Sequence, residues 1–285
     1  MDRSQASEWF PRAGRVRCFS VPNGFPDCQA GFSFPSERFS GKIKHGDNMQ
    51  QIFIQQKTHV GSVIEPDPQQ RHHLQRVLRM KEGETLRVID AEGAVFCGVL
   101  DGAGQIQITE LLDEDRELPV TLTLVAGLIK GERWDWLLQK CTELGVSRIV
   151  PFQSSRTVVK LESDKVDKKL ERWQKIVQEA SQQCKRTQKP QVCAPIELAD
   201  AGAWRSEQNF VAYEDEALHG GLLSAQLEKG RSVTLVIGPE GGFSPAEIER
   251  LQAQGYRCCS LGKRILRAET AAVAAVCLAG AVLEG

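Results

Sequence analysis

No apolar run in this 285-residue sequence approaches the ~20 residues that a membrane-spanning helix needs, so no membrane span is expected. There is no C-x-x-C pair and no cysteine/histidine set at zinc spacing. The adjacent His72 and His73 would point about 100° apart on a helix, and no metal is expected. The nine cysteines are odd in number and sit mostly among apolar neighbours, Cys97, Cys141 and Cys277 included. Reduced thiols in a cytoplasmic protein are the simple reading. No charged start, long apolar core and small-residue cleavage site opens the chain, which argues against a secretory signal. An excess of one charge is missing too. Lys and Arg total 36 against 37 Asp and Glu, a net charge of −1 that does not advertise nucleic acid.

What is present is distributed unevenly. Residues 160–189 carry nine Lys/Arg against five Asp/Glu, and residues 197–228 reverse this with seven acidic residues and one basic. Segregation of this kind permits a basic face on a neutral protein, although charge alone is equally served by ordinary solvated helix faces. Residues 1–48 hold four of the twelve prolines and show neither helical nor strand period. Disorder is expected there, with translation from Met49 as the alternative.

From 49 to 118 the pattern is short β-rich runs separated by turns: Gln51–Ile54, Thr85–Ile89, Ala94–Val99 and Gln105–Leu111. A helical insert over residues 71–80 places Leu74, Val77 and Leu78 on one face, with Arg76 and Arg79 on others. The whole reads as a small β-barrel. A charged linker at 113–119 precedes a change of rhythm, and residues 119–285 alternate strands with helices, as in a parallel α/β sheet. The expected strands are Thr121–Leu128, Ser147–Phe152, Asn209–Tyr213, Val233–Ile237 and Tyr256–Ser260. One expected helix carries Trp134, Leu137, Leu138, Cys141 and Leu144 and is closed by Gly145. A second runs Asp164–Cys184, and an Ala/Val-rich helix starting near Thr270 would be buried or lie at a subunit contact.

Two neighbouring stretches near the C-terminus concentrate the chemistry. The aliphatic run Val233–Ile237 ends at Gly238, and Gly238, Gly241 and Gly242 open the backbone just past the strand, where open α/β sheets place their ligands. Ser244-Pro245-Ala246-Glu247 restarts the chain as a capped helix, for which Gly255 is the stop. No Gly-Lys-Ser/Thr follows, so this is not a P-loop, and G-x-x-G-G is not the dinucleotide spacing G-x-G-x-x-G. Glycine spacing alone supports only a strand-to-helix turn. The second stretch is Leu261-Gly262-Lys263-Arg264-Ile265-Leu266-Arg267-Ala268-Glu269-Thr270-Ala271. Both stretches offer free backbone groups, with Ile237, Leu261, Ile265 and Leu266 as apolar neighbours to enclose a ligand.

Ile237-Gly238-Pro239-Glu240-Gly241-Gly242-Phe243-Ser244-x-x-Glu247 and the Leu261–Ala271 stretch resemble the signature loops of the RsmE methyltransferases. Upstream, His73-x-x-Arg76-Val77-Leu78-Arg79, Lys130-Gly131-Glu132-Arg133, Lys140-x-x-Glu143-Leu144-Gly145-Val146, Arg172-Trp173 and Glu179-Ala180-x-x-Gln183-x-x-Arg186 fit the same pattern. The resemblance spans 49–285 and departs at Thr187, where the family often has Asn. It implies a PUA-like barrel followed by a SPOUT α/β domain tied in a trefoil knot. It also implies a homodimer and S-adenosyl-L-methionine as the methyl donor, with N3 of a uridine in 16S (small-subunit) ribosomal RNA as the acceptor. The cofactor loops would supply Ile237, Gly238, Glu240, Gly241, Gly242, Leu261, Gly262, Ile265, Leu266 and Thr270. Arg267 is the candidate for stabilising charge on the uracil oxygens, and Glu269 or Glu240 for taking the proton, with a helix-cap or loop carboxylate as the rival role. Arg76, Arg79, Arg133, Arg156, Lys185 and Arg186 are assigned to RNA. A SPOUT ribose 2′-O-methyltransferase and a non-catalytic RNA-binding protein are the alternatives.

Overall fold

The computed structural model describes residues 49–157, 165–214 and 220–284. The expectations for residues 1–48, and the start of a helix at Asp164, lie outside them. The first sheet is five-stranded, built from β1 (Gln50–Phe53), β2 (Val63–Ile64), β3 (Thr85–Ile89), β4 (Val95–Leu100) and β5 (Ile106–Leu112), in the order β1-β3-β4-β5-β2. Strands β3, β4 and β5 form an antiparallel meander. In its two turns Asp90 and Asp101 accept hydrogen bonds from backbone N–H groups two and four residues on. Strand β1 joins parallel to β3, and β2 closes the other side antiparallel to β5, so the sheet curls as a half-barrel with two edges. Ile52, Leu74, Leu86, Val88, Phe96, Ile106 and Ile108 fill it.

The helical insert differs from the expected regular helix. Helix α1 (Pro68–His72) starts at Asp67 with a complete capping box to Gln70, then widens into a π-helical turn over His73–Val77. Leu78 donates to the His73 carbonyl at 2.9 Å, five residues back. The widened turn breaks the i, i+3, i+4 stripe. Leu74 is fully buried while Val77 is 59% exposed, so Val77 does not belong to the core face assigned to it from the sequence.

The second sheet is all parallel, comprising β6 (Leu122–Gly127), β7 (Arg148–Gln153), β8 (Gln191–Val192), β9 (Ile196–Glu197), β10 (Gln208–Ala212), β11 (Val233–Ile237) and β12 (Arg257–Cys259). Its order is β12-β10-β11-β6-β7-β8, with β9 also on β7. Every residue of β6 and β11 is buried, as expected for strands covered on both faces. Helices α2 (Glu132–Glu143), α3 (Val166–Gln183) and α6 (Ala268–Glu284) bring Trp134, Leu137, Trp173, Val177, Ala272 and Ala279 to one face, against Leu124, Leu235 and Ile237. The short helix α4 (Leu223–Gln226) packs against α6. The opposite face is covered by a 3₁₀ segment (Leu198–Trp204) and α5 (Pro245–Ala253), which set Leu198, Ile248 and Leu251 against Val125, Val150 and Val236. After forming the edge strand β12, the chain crosses back so that α6 packs on β6 and β11 in the middle of the sheet.

Candidate functional site

The C-terminal ends of β10 and β12 open into a cavity of ≈ 580 Å³, lined by Ala212, Tyr213 and Glu214 from one strand end and by Cys259 through Leu266 from the other, with Gly221, Leu222 and Ala271 completing it. That volume falls in the range of small-molecule pockets. Its walls are mostly apolar, and the polar groups are few: Tyr213, Glu214, Ser260, Lys263, Arg264 and backbone. Ser260 shapes the wall, its Oγ accepting from Gly262 N at 3.1 Å and its backbone N–H donating to Gly221 O at 2.9 Å. Burial pushes the Cys259 thiol up to about 12, so it stays protonated and is no nucleophile. Of the residues expected to hold a cofactor, Leu261, Gly262, Ile265 and Leu266 line this cavity. Ile265, in that wall, is 89% exposed.

The glycine loop stands beside that wall. It is a turn closed by Gly242 N donating to Pro239 O at 2.9 Å. Ile237 and Pro239 are buried, and an added Cβ on Gly242 would lie 4.0 Å from Glu214 Oε1 in the cavity. Gly127, at the end of β6, passes so near the loop that a Cβ there would stand 2.5 Å from Pro239 N and 3.0 Å from Gly238 C. Gly241 is approached by the turn after β7, where a Cβ would meet both Cβ and O of Arg156 at 3.0 Å. The same Arg156 donates Nη1 to Gly241 O at 3.0 Å. Ser244 then caps α5, accepting from Glu247 N while Glu247 Oε2 accepts from Ser244 N at 2.8 Å. Burial acts to raise the Glu247 carboxyl, but the hydrogen bonds from Ser244 and Ser155 outweigh it and hold the group below its ordinary value.

Arg267 lies one residue beyond the cavity lining, exposed and with no ion-pair partner among the described residues. Two residues on, in the first turn of α6, Glu269 is only 8% exposed, and its Oε2 has no hydrogen-bond partner. Thr270 is exposed and outside the lining. Glu240 accepts from Lys130 N at 3.3 Å and lies 3.8 Å from Arg133 Nη1, which joins the start of α2 to the glycine loop. Arg133 and Arg156, assigned from the sequence to RNA, thus converge with Glu240 and Gly241, assigned to the cofactor, beyond the C-terminal ends of β6, β7 and β11.

The other expected RNA contacts separate. Arg76 and Arg79 are exposed on the half-barrel, Arg79 in a left-handed conformation (φ 55°) at the end of the π turn. Arg186 does not face solvent at all, and its assignment to RNA is corrected. It is 4% exposed, with Nε and Nη2 on Glu117 Oε2 at 3.0 and 2.5 Å and Nη1 on the carbonyls of Thr142 and Val146 at 3.0 and 2.7 Å. Val146 precedes β7, so Arg186 sits at the edge of the sheet opposite the cavity. The local cause is Lys185, which takes the left-handed position (φ 65°) at the end of α3 and lets Arg186 N reach Ser181 O at 3.0 Å. Lys185 is half-buried, its Nζ on Met49 O at 2.5 Å, and burial with the nearby Arg87 and Arg116 lowers its pKa. Thr187 is turned the same way, its N and Oγ1 on Glu117 Oε1, so its departure from the family pattern does not touch the cavity. Sequence reasoning missed Ala212–Glu214, Gly221 and Leu222, which carry no motif, and Gly127, whose role is visible only once β6 and β11 are paired.

A family model described as an RNA methyltransferase domain matches residues 116–280, and one described as an RNA methyltransferase PUA domain matches 66–111. Ribosomal RNA small subunit methyltransferase E of Bacillus subtilis is 38% identical over 213 residues, 70% of this chain and 82% of that protein. The protein of the same name from Synechocystis is 36% identical over 221 residues, 75% and 72% of the two chains. Among solved structures, ribosomal RNA small subunit methyltransferase E from Neisseria gonorrhoeae bound to S-adenosyl methionine superposes with a TM-score of 0.75 at 27% identity, covering 82% of this chain and 98% of that one. A Legionella pneumophila methyltransferase in complex with the bound cofactor gives 0.75 at 31% identity, covering 82% and 97%. The chain belongs to the ribosomal RNA small subunit methyltransferase E family.

Proposed function

We propose that this protein transfers a methyl group from S-adenosyl-L-methionine to N3 of one uridine in 16S ribosomal RNA within the small ribosomal subunit. The observation that carries the reading is the cavity at the C-terminal edge of the parallel sheet, walled by Leu261–Leu266 with Arg267 at its rim, in a chain 38% identical to a small-subunit rRNA methyltransferase. The cavity fits the cofactor. Its volume suits a nucleoside-sized ligand, Leu222, Leu261 and Leu266 offer apolar cover for a ring, and Glu214 offers acceptors at the mouth. We extend the site to the glycine loop, with Ile237, Gly238, Glu240, Gly241, Gly242 and Thr270 completing the cofactor's surroundings.

When bound, the cofactor supplies an electrophilic methyl group. The chain's own part is to align the acceptor and manage one proton. Uracil N3 is a weak acid whose negative charge, once the proton leaves, spreads to O2 and O4, and an unpaired arginine at the rim stabilises that charge. Glu269, with one carboxylate oxygen unpartnered, is the first candidate to take the proton, and Glu240, already engaged by Lys130 N and Arg133, is the second. Arg76 and Arg79 on the half-barrel, with Arg133 and Arg156 beside the glycine loop, hold phosphates. The half-barrel is proposed to end, and the methyltransferase domain to begin, between residues 118 and 119. A homodimer follows from the same reading, with the outer side of α6, including Cys277 and Ala281, as the face left for a second copy. No described helix is long and apolar enough to cross a membrane, and the reading places the protein in the cytoplasm with the ribosomes it modifies. Analysis of the modified nucleoside after incubation with cofactor and small subunits tests it. N3-methyluridine is expected, and a ribose 2′-O-methyl product would transfer the protein to the alternative activity.

A further inference from the structure

At the sheet edge opposite the cavity, the segment joining the half-barrel to the methyltransferase domain carries two carboxylates with different partners. Glu117 binds inward: beyond its two bonds from Arg186, Oε1 accepts from Thr187 N at 2.8 Å and Gln188 N at 2.9 Å. Glu114 binds back to the half-barrel through Arg87 on β3, and also accepts from Arg116 Nε at 3.0 Å. Gln51 on β1 links the two groups. Its Nε2 donates to Arg186 O at 2.8 Å and its Oε1 accepts from Arg87 Nε at 3.1 Å. Lys185 reaches Met49 O, and the Lys189 ammonium stands 5.1 Å from the Phe53 ring. Gln51, Arg87, Arg186 and Thr187 are each 7% exposed or less.

A buried ionic network of this kind adds little stability over apolar packing of the same volume. What distinguishes it is directional fit, since the donors of Gln51 and Arg186 meet their acceptors in one arrangement of the two parts, whereas an apolar contact tolerates sliding. We infer that Glu117, Arg186 and Gln51 are positioning residues. They fix the half-barrel on the methyltransferase domain at one angle, so that RNA gripped by Arg76 and Arg79 is presented in one register for methylation. The inference rests on the proposed RNA methyltransferase activity.

The test uses the full chain with Gln51→Ala, which removes the side-chain bond from the half-barrel to the Arg186 carbonyl and leaves the Glu117–Arg186 pair whole, and with Glu117→Gln. In both, KM for small ribosomal subunits should rise about tenfold or more, while kcat and calorimetric cofactor affinity stay within about twofold. Amide exchange at Thr187 and Gln188 should quicken about tenfold or more in Glu117→Gln, with β11 still protected. Should Glu117→Gln fail to fold, Gln51→Ala alone decides. An unchanged KM, or a fall in kcat at constant KM, overturns the inference. If the unaltered chain methylates nothing, the activity reading falls instead, and the affinity of the same variants for small-subunit RNA decides: loosened binding supports the positioning role, and unchanged binding overturns it.

Discussion

Arg267 and Arg186 are both arginines of family motifs, and the structure gives them opposite fates. Arg267 stands exposed beside the cavity, with no ion pair among the described residues, whereas every hydrogen-bonding nitrogen of Arg186 is engaged in the interior. Arg267→Ala should therefore lower kcat by about 10²–10³-fold, as loss of a charge-stabilising donor does, while calorimetry shows cofactor affinity nearly unchanged. Arg186→Met should act on stability instead. It leaves the Glu117 carboxylate, with 12% of its side chain exposed, without its counter-ion, and chemical denaturation should show a loss of about 3–5 kcal/mol. Glu269→Gln separates the two roles open to that carboxylate. A loss of about 10²-fold or more in kcat marks a proton acceptor, and unchanged turnover marks a helix-terminal group. The residue types were legible in the sequence, but their directions were not. Nothing local says that Lys185 adopts a left-handed conformation, or that Arg186 meets a glutamate 69 residues upstream.

Among the elements, the unit of strand, glycine loop and capped helix was the most legible. Val233–Ile237 is β11, and Ser244, Pro245 and Glu247 form the capping box their spacing announces. The short elements were missed: β2, β8 and β9 have two residues each, too few to show a period, and they exist because longer strands offer them an edge. The π turn escaped for the reason that hid Val77, because its widened geometry has no signature in apolar spacing. Two outcomes belong to this scale. The Glu247 carboxyl is held below its ordinary value in the folded chain, so its contribution to stability is present above about pH 4.5 and is lost as pH falls through the lowered value. Thermal melts between pH 6 and 3 should show this loss, and Glu247→Gln should flatten that part of the profile. Gly127→Ala forces Pro239 to move, since the new Cβ would lie 2.5 Å from its nitrogen. Cofactor affinity should drop about tenfold or more if the glycine loop holds the donor, and an unchanged affinity would remove that loop from the site.

For the whole molecule, the change from turn-separated strands to alternating strands and helices predicts two architectures in one chain, and the structure contains a five-stranded curled sheet followed by an all-parallel sheet. The return of α6 to the sheet's centre after the edge strand β12 has no such signal. Sequential elements usually lie side by side, and threaded chains are rare enough that pattern reading alone argues against them. The cavity also depends on this scale, because its walls come from the paired strands β10 and β12, the segment around Gly221 and, by the crossing, Ala271 of α6. The central claim is that this assembled cavity serves methylation of a uracil nitrogen. Its most direct test is mass-spectrometric mapping of small ribosomal subunits lacking the modification, after incubation with this protein and S-adenosyl-L-methionine. The account predicts N3-methyluridine at a single position of the 16S RNA; a 2′-O-methylated nucleoside, or no methyl transfer under conditions where the cofactor binds, would contradict it.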